Sequence, residues 1–114
     1  MTRIVVTGMG MITAIGKDTG ENLESLKTRR HGVGSIKLLD TIHKDELLAA
    51  EIRFTNDELA AISGITDGER YTRTSLLGLI AASQAYESGI GKYGDTDNTR
   101  TTVVSTTTVG GMDK

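Results

Sequence analysis

Hydrophobic positions gather into β-branched runs near the two ends of the chain, with helix-spaced stretches between them. Residues 3–7, Arg3-Ile-Val-Val-Thr7, show no clean apolar–polar alternation, a pattern that suits a strand covered on both faces in an α/β sheet. Residues 100–108 form a second β-branched run of less apolar character, also read as a strand. A weaker signal at 48–54 predicts a short edge strand around Ala50-Glu51-Ile52.

Helices are predicted between these runs. Asp18-x-x-Glu21 offers a capping box ahead of Leu23 and Leu26, which share one face of a helix ending near Arg29, with Gly32 and Gly34 as breaks. Thr55-x-x-Glu58 opens a short helix carrying Leu59 and Ile62 and stopped at Gly64. Thr66-x-x-Glu69 is expected to open the longest helix, running to about Ser88 with Gly89 as its C′ stop. Residues 91–98 are polar and turn-rich, a loop from helix to strand.

The long helix carries Leu76, Leu77, Leu79, Ile80, Ala81, Ala82, Ala85 and Tyr86 around nearly its whole circumference. That pattern predicts burial on all sides and neighbours beyond those this sequence supplies. Gly78 in its middle costs about 1 kcal/mol relative to Ala, so close approach of another backbone is the expected compensation. No repeat or interdomain linker is visible, and residues 1–114 are read as a single unit.

Composition narrows the function classes. Hydrophobic residues make up 37%, with one Phe, three Tyr and no Trp, thin for a self-sufficient core. The net charge is -2, and the densest basic cluster, Arg29-Arg30-His31, is too short to track a phosphate backbone, so no nucleic-acid partner is expected. The absence of Cys excludes disulfides, thiolate metal sites and a thiol nucleophile within these residues. Ile4-Val5-Val6 is far shorter than a signal-peptide core and no run reaches membrane-span length, so a cytoplasmic location with no membrane partner is the expectation.

Few residues invite chemistry. Gly8-x-Gly10 after a strand resembles the start of a dinucleotide fingerprint, but position 13 is Thr and no helix opens there. A tight turn where the first strand leaves the sheet is the better reading of the two glycines. His31 and His43 are read as surface residues outside any ligand pattern, and Asp40, Asp45 and Glu46 as solvated positions, so neither metal nor cofactor is expected. Ser105 lies in a predicted strand with no base or nucleophile elbow. Val109-Gly110-Gly111-Met112 follows the second β-branched run, where glycines permit either a turn or a close backbone approach to a ligand or another chain.

The opening Arg3-Ile-Val-Val-Thr-Gly-Met-Gly-Met-Ile-Thr-Ala-Ile-Gly16 resembles the first segment of the β-ketoacyl-acyl carrier protein synthases. Three further stretches resemble the same family in the same order. They are Glu21–Val33, the segment from Arg70-Tyr-Thr-Arg-Thr-Ser75 to Glu87-Ser-Gly-Ile90, and Thr102-Val-Val-Ser-Thr-Thr-Thr-Val-Gly-Gly111. Two departures stand out: Ala14 replaces the usual Pro of the opening motif, and Thr106 and Thr108 stand where relatives have Gly.

The resemblance implies an α/β fold, the N-terminal part of a thiolase-like fold that is incomplete as an isolated chain. It also implies an acyltransferase that condenses an acyl thioester with malonyl-acyl carrier protein, in fatty acid or polyketide synthesis, and works as a dimer. By the same resemblance Val109 borders the acyl pocket and is the one substrate-contact position nominated. No catalytic residue carries over, because the Cys is absent and His31 and His43 fall in the wrong regions, so the chain alone is expected to be inactive. The alternatives are a non-catalytic relative of the chain-length-factor type, or a small stand-alone binding module.

Overall fold

The computed structural model describes residues 3–67, 70–93 and 102–107. Its elements run α1 (Thr19–Lys27), β1 (Val33–Ser35), β2 (Leu48–Ala50), α2 (Asn56–Ile62), α3 (Arg73–Ser88) and α4 (Ile90–Tyr93). Helices thus combine with one small antiparallel sheet, in which Val33 faces Ala50, Gly34 faces Ala49 and Ser35 faces Leu48.

Local chemistry sets most helix ends. The Asp18 carboxylate accepts the Glu21 N–H at 2.8 Å, while Glu21 reaches back to the Lys17 N–H at 3.0 Å rather than to Asp18 itself. At α2 the capping box is complete: Thr55 Oγ1 accepts the Glu58 N–H, and the Glu58 carboxylate accepts the Thr55 N–H at 2.7 Å. Both helices close with Schellman pairs. Gly64 at φ 71° and Ile65 donate to Ala61 and Ala60, and Arg29 at φ 56° and Arg30 donate to Leu26 and Ser25.

The third helix corrects its predicted start. Thr72, not Thr66, is the N-cap and accepts the Ser75 N–H at 3.2 Å; Glu69 lies outside the described residues. Its burial is also one-sided. Leu76 and Ile80 are buried and Leu77, Ala81, Gln84 and Ala85 half-buried, while Gly78, Leu79, Ala82 and Tyr86 are exposed. A Cβ on Gly78 would meet nothing within 4 Å, so the close approach expected there does not occur. Gly89 is the C-cap of α3 rather than its C′ residue, its N–H donating to the Ala85 and Tyr86 carbonyls, and α4 takes up residues 90–93 of the predicted loop. Residues 94–98 lie outside the described residues.

The close approach happens instead at Gly8 and Gly10. A Cβ on Gly8 would overlap the Ala85 carbonyl and stand 2.7 Å from the Gly89 nitrogen. One on Gly10 would overlap the Ala81 carbonyl and stand 2.7 Å from the Ala85 nitrogen. Neither glycine has positive φ, so they serve contact with α3 rather than the turn expected from sequence.

Side chains of α3 fix the register of this contact. Ser88 Oγ accepts the Met9 N–H at 3.1 Å and donates to the Met9 carbonyl at 3.0 Å. Gln84 accepts the Met11 N–H at 3.0 Å and donates to the Lys17 carbonyl at 2.8 Å, clasping both ends of the 11–17 turn.

The hydrophobic centre is small. Leu59, Ala60, Leu76 and Ile80 form it where α2 meets α3, with Ile12, Phe54, Ile65 and Leu77 packed around. Residues 3–7 and 102–107 are not strands: neither pairs with another segment, and Ile4 is 97% and Val103 and Val104 are each 83% exposed. β-propensity produces a strand only where a partner accepts the ladder bonds, and the described residues supply none to either run. The predicted edge strand sits two residues earlier, at 48–50, because Glu51 turns away to bind the backbone of 37–39.

Two pairs of substitutions test this architecture by urea unfolding. Gly10→Ala should lose about 1–3 kcal/mol through overlap with α3, whereas Gly78→Ala should gain about 1 kcal/mol. Arg29→Gly, which relieves a left-handed residue at the α1 terminus, should stabilise by about 1 kcal/mol; Gly64→Ala at the equivalent position of α2 should destabilise by about as much.

Candidate functional site

A cleft of about 790 Å³ opens between the segment after β1, the β2 segment and the start of α2. Ile36, Leu38, Leu39, Ala49, Ala50 and Ile52 give it apolar walls. Its polar rim consists of Asp40, Glu51, Thr55, Asn56 and Arg73.

Two charged residues hold this cleft open. The Glu51 carboxylate accepts three successive backbone N–H groups, from Lys37 at 2.9 Å, Leu38 at 2.9 Å and Leu39 at 2.7 Å. The wall carrying Leu38 and Leu39 is therefore wrapped around one side chain. These bonds, that from Lys37 foremost, hold the Glu51 carboxyl below its ordinary pKa against an opposing desolvation, with Arg73 adding a smaller attraction. Arg73, at the first position of α3, donates to the Ile52 and Phe54 carbonyls and to Asn56 Oδ1 at 3.1 Å. It fastens the strand-to-helix connection to α3.

The cleft can therefore enclose an apolar group, and of the two carboxylates in its lining, Asp40 and Glu51, the second is committed to backbone N–H groups. Thr55 is the only hydroxyl in its lining, and the Thr55 side chain is engaged in the α2 cap. It contains no His or Ser.

A second cleft, about 270 Å³, lies beside the 13–17 turn and includes Lys17, Glu21, Arg30, His31, Arg53 and Phe54. Of α1 only Glu21 lines it, and the inward face of that helix is polar. Asn22 and Ser25 are the buried residues there, while Leu23 and Leu26, expected to share one face, are 51% and 67% exposed. Asn22 Nδ2 donates to the Gly16 carbonyl at 3.0 Å and the Asp18 carbonyl at 2.7 Å, and its Oδ1 accepts from Thr13 Oγ1. Ser25 Oγ donates to the Ile15 carbonyl at 2.6 Å. The turn has unpaired carbonyls to satisfy, and two leucines could not have done so.

The sequence-nominated residues disperse. Val109, with Gly110, Gly111 and Met112, lies outside the described residues. His31 lines the small cleft, Asp40 the large one, and His43 Nδ1 sits 3.1 Å from Glu46 Oε2 on the exposed 42–46 turn with Asp45. Ser105 is exposed. The Met9 and Met11 amides flanking Gly10 are spent on Ser88 and Gln84, so the glycine segment holds no phosphate cradle there. Among the described residues no group of His, Cys, Asp and Glu could hold a metal ion. Glu51 and Arg73 were not singled out from sequence: Glu51 falls in a predicted strand, and the distant amides it binds leave no local signature.

A folded-state pKa below the unfolded value means that Glu51 stabilises above the unfolded carboxyl pKa of about 4.3 and that this is lost as pH falls through the folded pKa. Glu51→Gln should thus unfold at lower urea than the parent at pH 7. The difference should shrink through the acid range and vanish below the folded pKa.

A search of curated proteins and a search of solved structures found no match to this chain. A family model does match, that of the β-ketoacyl synthase N-terminal domain, and it covers residues 1–114. The match spans the collinear stretches in which the resemblance lies, and the chain belongs to the β-ketoacyl synthase N-terminal domain family.

Proposed function

We infer that this chain serves as the N-terminal domain of a ketosynthase-type condensing enzyme. The observation that carries the reading is the family match along the entire chain. In this reading the domain is the first part of a thiolase-like fold, and residues 3–7 and 102–107, unpaired here with exposed valines, are strands that become covered when the rest of the sheet is present.

The reaction is decarboxylative condensation of an acyl thioester with malonyl-acyl carrier protein, in the cytoplasm and in a dimer. A thiolate attacks the acyl thioester and expels its carrier thiol; loss of CO₂ from malonyl-acyl carrier protein then leaves an acetyl-thioester carbanion, which attacks the enzyme thioester and expels the thiolate. That thiolate lies outside these residues, since the 114 contain no Cys. The role left to this domain is to shape and dry the site, with Val109 against the acyl chain. A carbanion formed by loss of CO₂ must be kept from water, so apolar walls contribute to the chemistry without touching the proton inventory.

The test uses the native protein from its source cells, isolated with an antibody to this segment and incubated with a radiolabelled acyl thioester. The expected result is a species larger than 12.2 kDa that becomes acylated on a cysteine and decarboxylates malonyl-acyl carrier protein. A native species of 12.2 kDa would overturn the proposal. A larger species that never acylates would instead assign the protein to the non-catalytic, chain-length-factor type.

A further inference from the structure

The small cleft beside the 13–17 turn concentrates positive charge that its surroundings do not cancel. Lys17, Arg30, His31 and Arg53 line it, with Glu21 as its one acid. Glu21 is committed: Oε1 pairs with Lys17 Nζ at 3.3 Å and Oε2 accepts the Lys17 N–H at 3.0 Å. Those two charges offset each other and leave both guanidinium groups uncompensated.

Arg30 is held in place by neutral acceptors. Its Nε donates to Ser25 Oγ at 3.0 Å and its Nη2 to the Ile15 carbonyl at 3.0 Å, and the Ser25 side chain is fully buried. The guanidinium is thus fixed while its Nη1 has no hydrogen-bond partner among the described residues. Arg53 likewise has no hydrogen-bond or ion-pair partner among the described residues, and its Nη2 lies over β1, 2.9 Å from where a Gly34 Cβ would stand. His31 adds a ring nitrogen at the rim, and Ala14, Ile15 and Phe54 supply an apolar side.

We propose that this cleft binds the phosphate of a small organic phosphomonoester, with Arg30 and Arg53 as the anion ligands and Phe54 against the organic part. Two uncompensated guanidinium groups match a dianion better than a carboxylate, and planar forks of N–H donors suit phosphate oxygens. At about 270 Å³ the cleft sits just below the usual range for small-molecule sites, which fits a compact ligand rather than a nucleotide with base and sugar buried. The site is independent of the acyl chemistry proposed above and stands or falls separately.

The test is a ¹⁵N–¹H titration of the full 114-residue chain at constant ionic strength with inorganic phosphate, phenyl phosphate and benzoate. Phenyl phosphate should give saturable shifts at Gly16, His31, Gly32 and Arg53, more tightly than inorganic phosphate. Benzoate, with the same ring and one charge fewer, should bind about tenfold or more weakly. Arg53→Ala should weaken phenyl phosphate by about tenfold, whereas Lys44→Ala, in the 42–46 turn, should leave it unchanged. Arg53→Gln repeats the test should the alanine variant alter the remaining spectrum.

Non-saturating shifts, equal binding of benzoate and phenyl phosphate, or equal losses in the Arg53 and Lys44 variants would each overturn the proposal. So would sedimentation with phosphatidic-acid vesicles in the absence of any response to soluble phenyl phosphate.

Discussion

Backbone-to-backbone contact between the 8–10 segment and α3 is the constraint around which this chain is arranged. The helix presents Ala81, Ala85 and Gly89 at four-residue intervals, one above another on a single face. Gly8 and Gly10 lie against that face so closely that neither has room for a Cβ. Ser88 and Gln84 flank the contact and bond to Met9, Met11 and Lys17, turning proximity into a fixed register. Once the 8–17 segment is laid along α3, Ile12 reaches the Leu59–Leu76–Ile80 centre and the 13–17 turn is delivered to α1.

A polar interface carries the next layer. The 13–17 turn has carbonyls at Ile15 and Gly16 that require donors, and α1 meets them with Ser25 and Asn22 rather than with its leucines. Arg30, just past the helix, completes the arrangement by donating to both Ser25 Oγ and the Ile15 carbonyl. Its placement depends on Arg29 accepting the left-handed conformation that most helices leave to Gly. A strained residue at the end of α1 and an immobilised guanidinium beside the small cleft are therefore parts of one device.

The large cleft rests on the opposite principle, charges with no counter-ion in direct contact. Glu51 is surrounded by backbone N–H groups and Arg73 by carbonyls. Each organises irregular backbone that a hydrophobic contact could not orient, because apolar packing is non-directional. The result is an apolar-walled space in which Glu51 and Arg73 are occupied with holding its shape.

Local features of the sequence determined the features that rest on neighbours in the chain. The Thr55–Glu58 box, the Gly64 stop, the approximate extent of α1 and the end of α3 at Ser88 follow from bonds spanning three to five residues, and such bonds are written in spacing. The family was legible too, since collinear motifs survive in order whatever the packing.

Tertiary structure alone decided the rest. Gly8-x-Gly10 read as a tight turn from sequence, and only the placement of α3 showed a backbone contact instead. Leu23 and Leu26 share one face of α1 in the sequence, yet the carbonyls of a turn ten residues upstream draw Ser25 inward and leave both leucines exposed. Residues 3–7 and 102–107 have strand propensity without strand structure, because a ladder needs a second set of backbone groups that propensity cannot supply. The amides gathered by Glu51 and the two guanidinium groups brought to one cleft are separated by more than ten residues, distances over which sequence spacing carries no geometry.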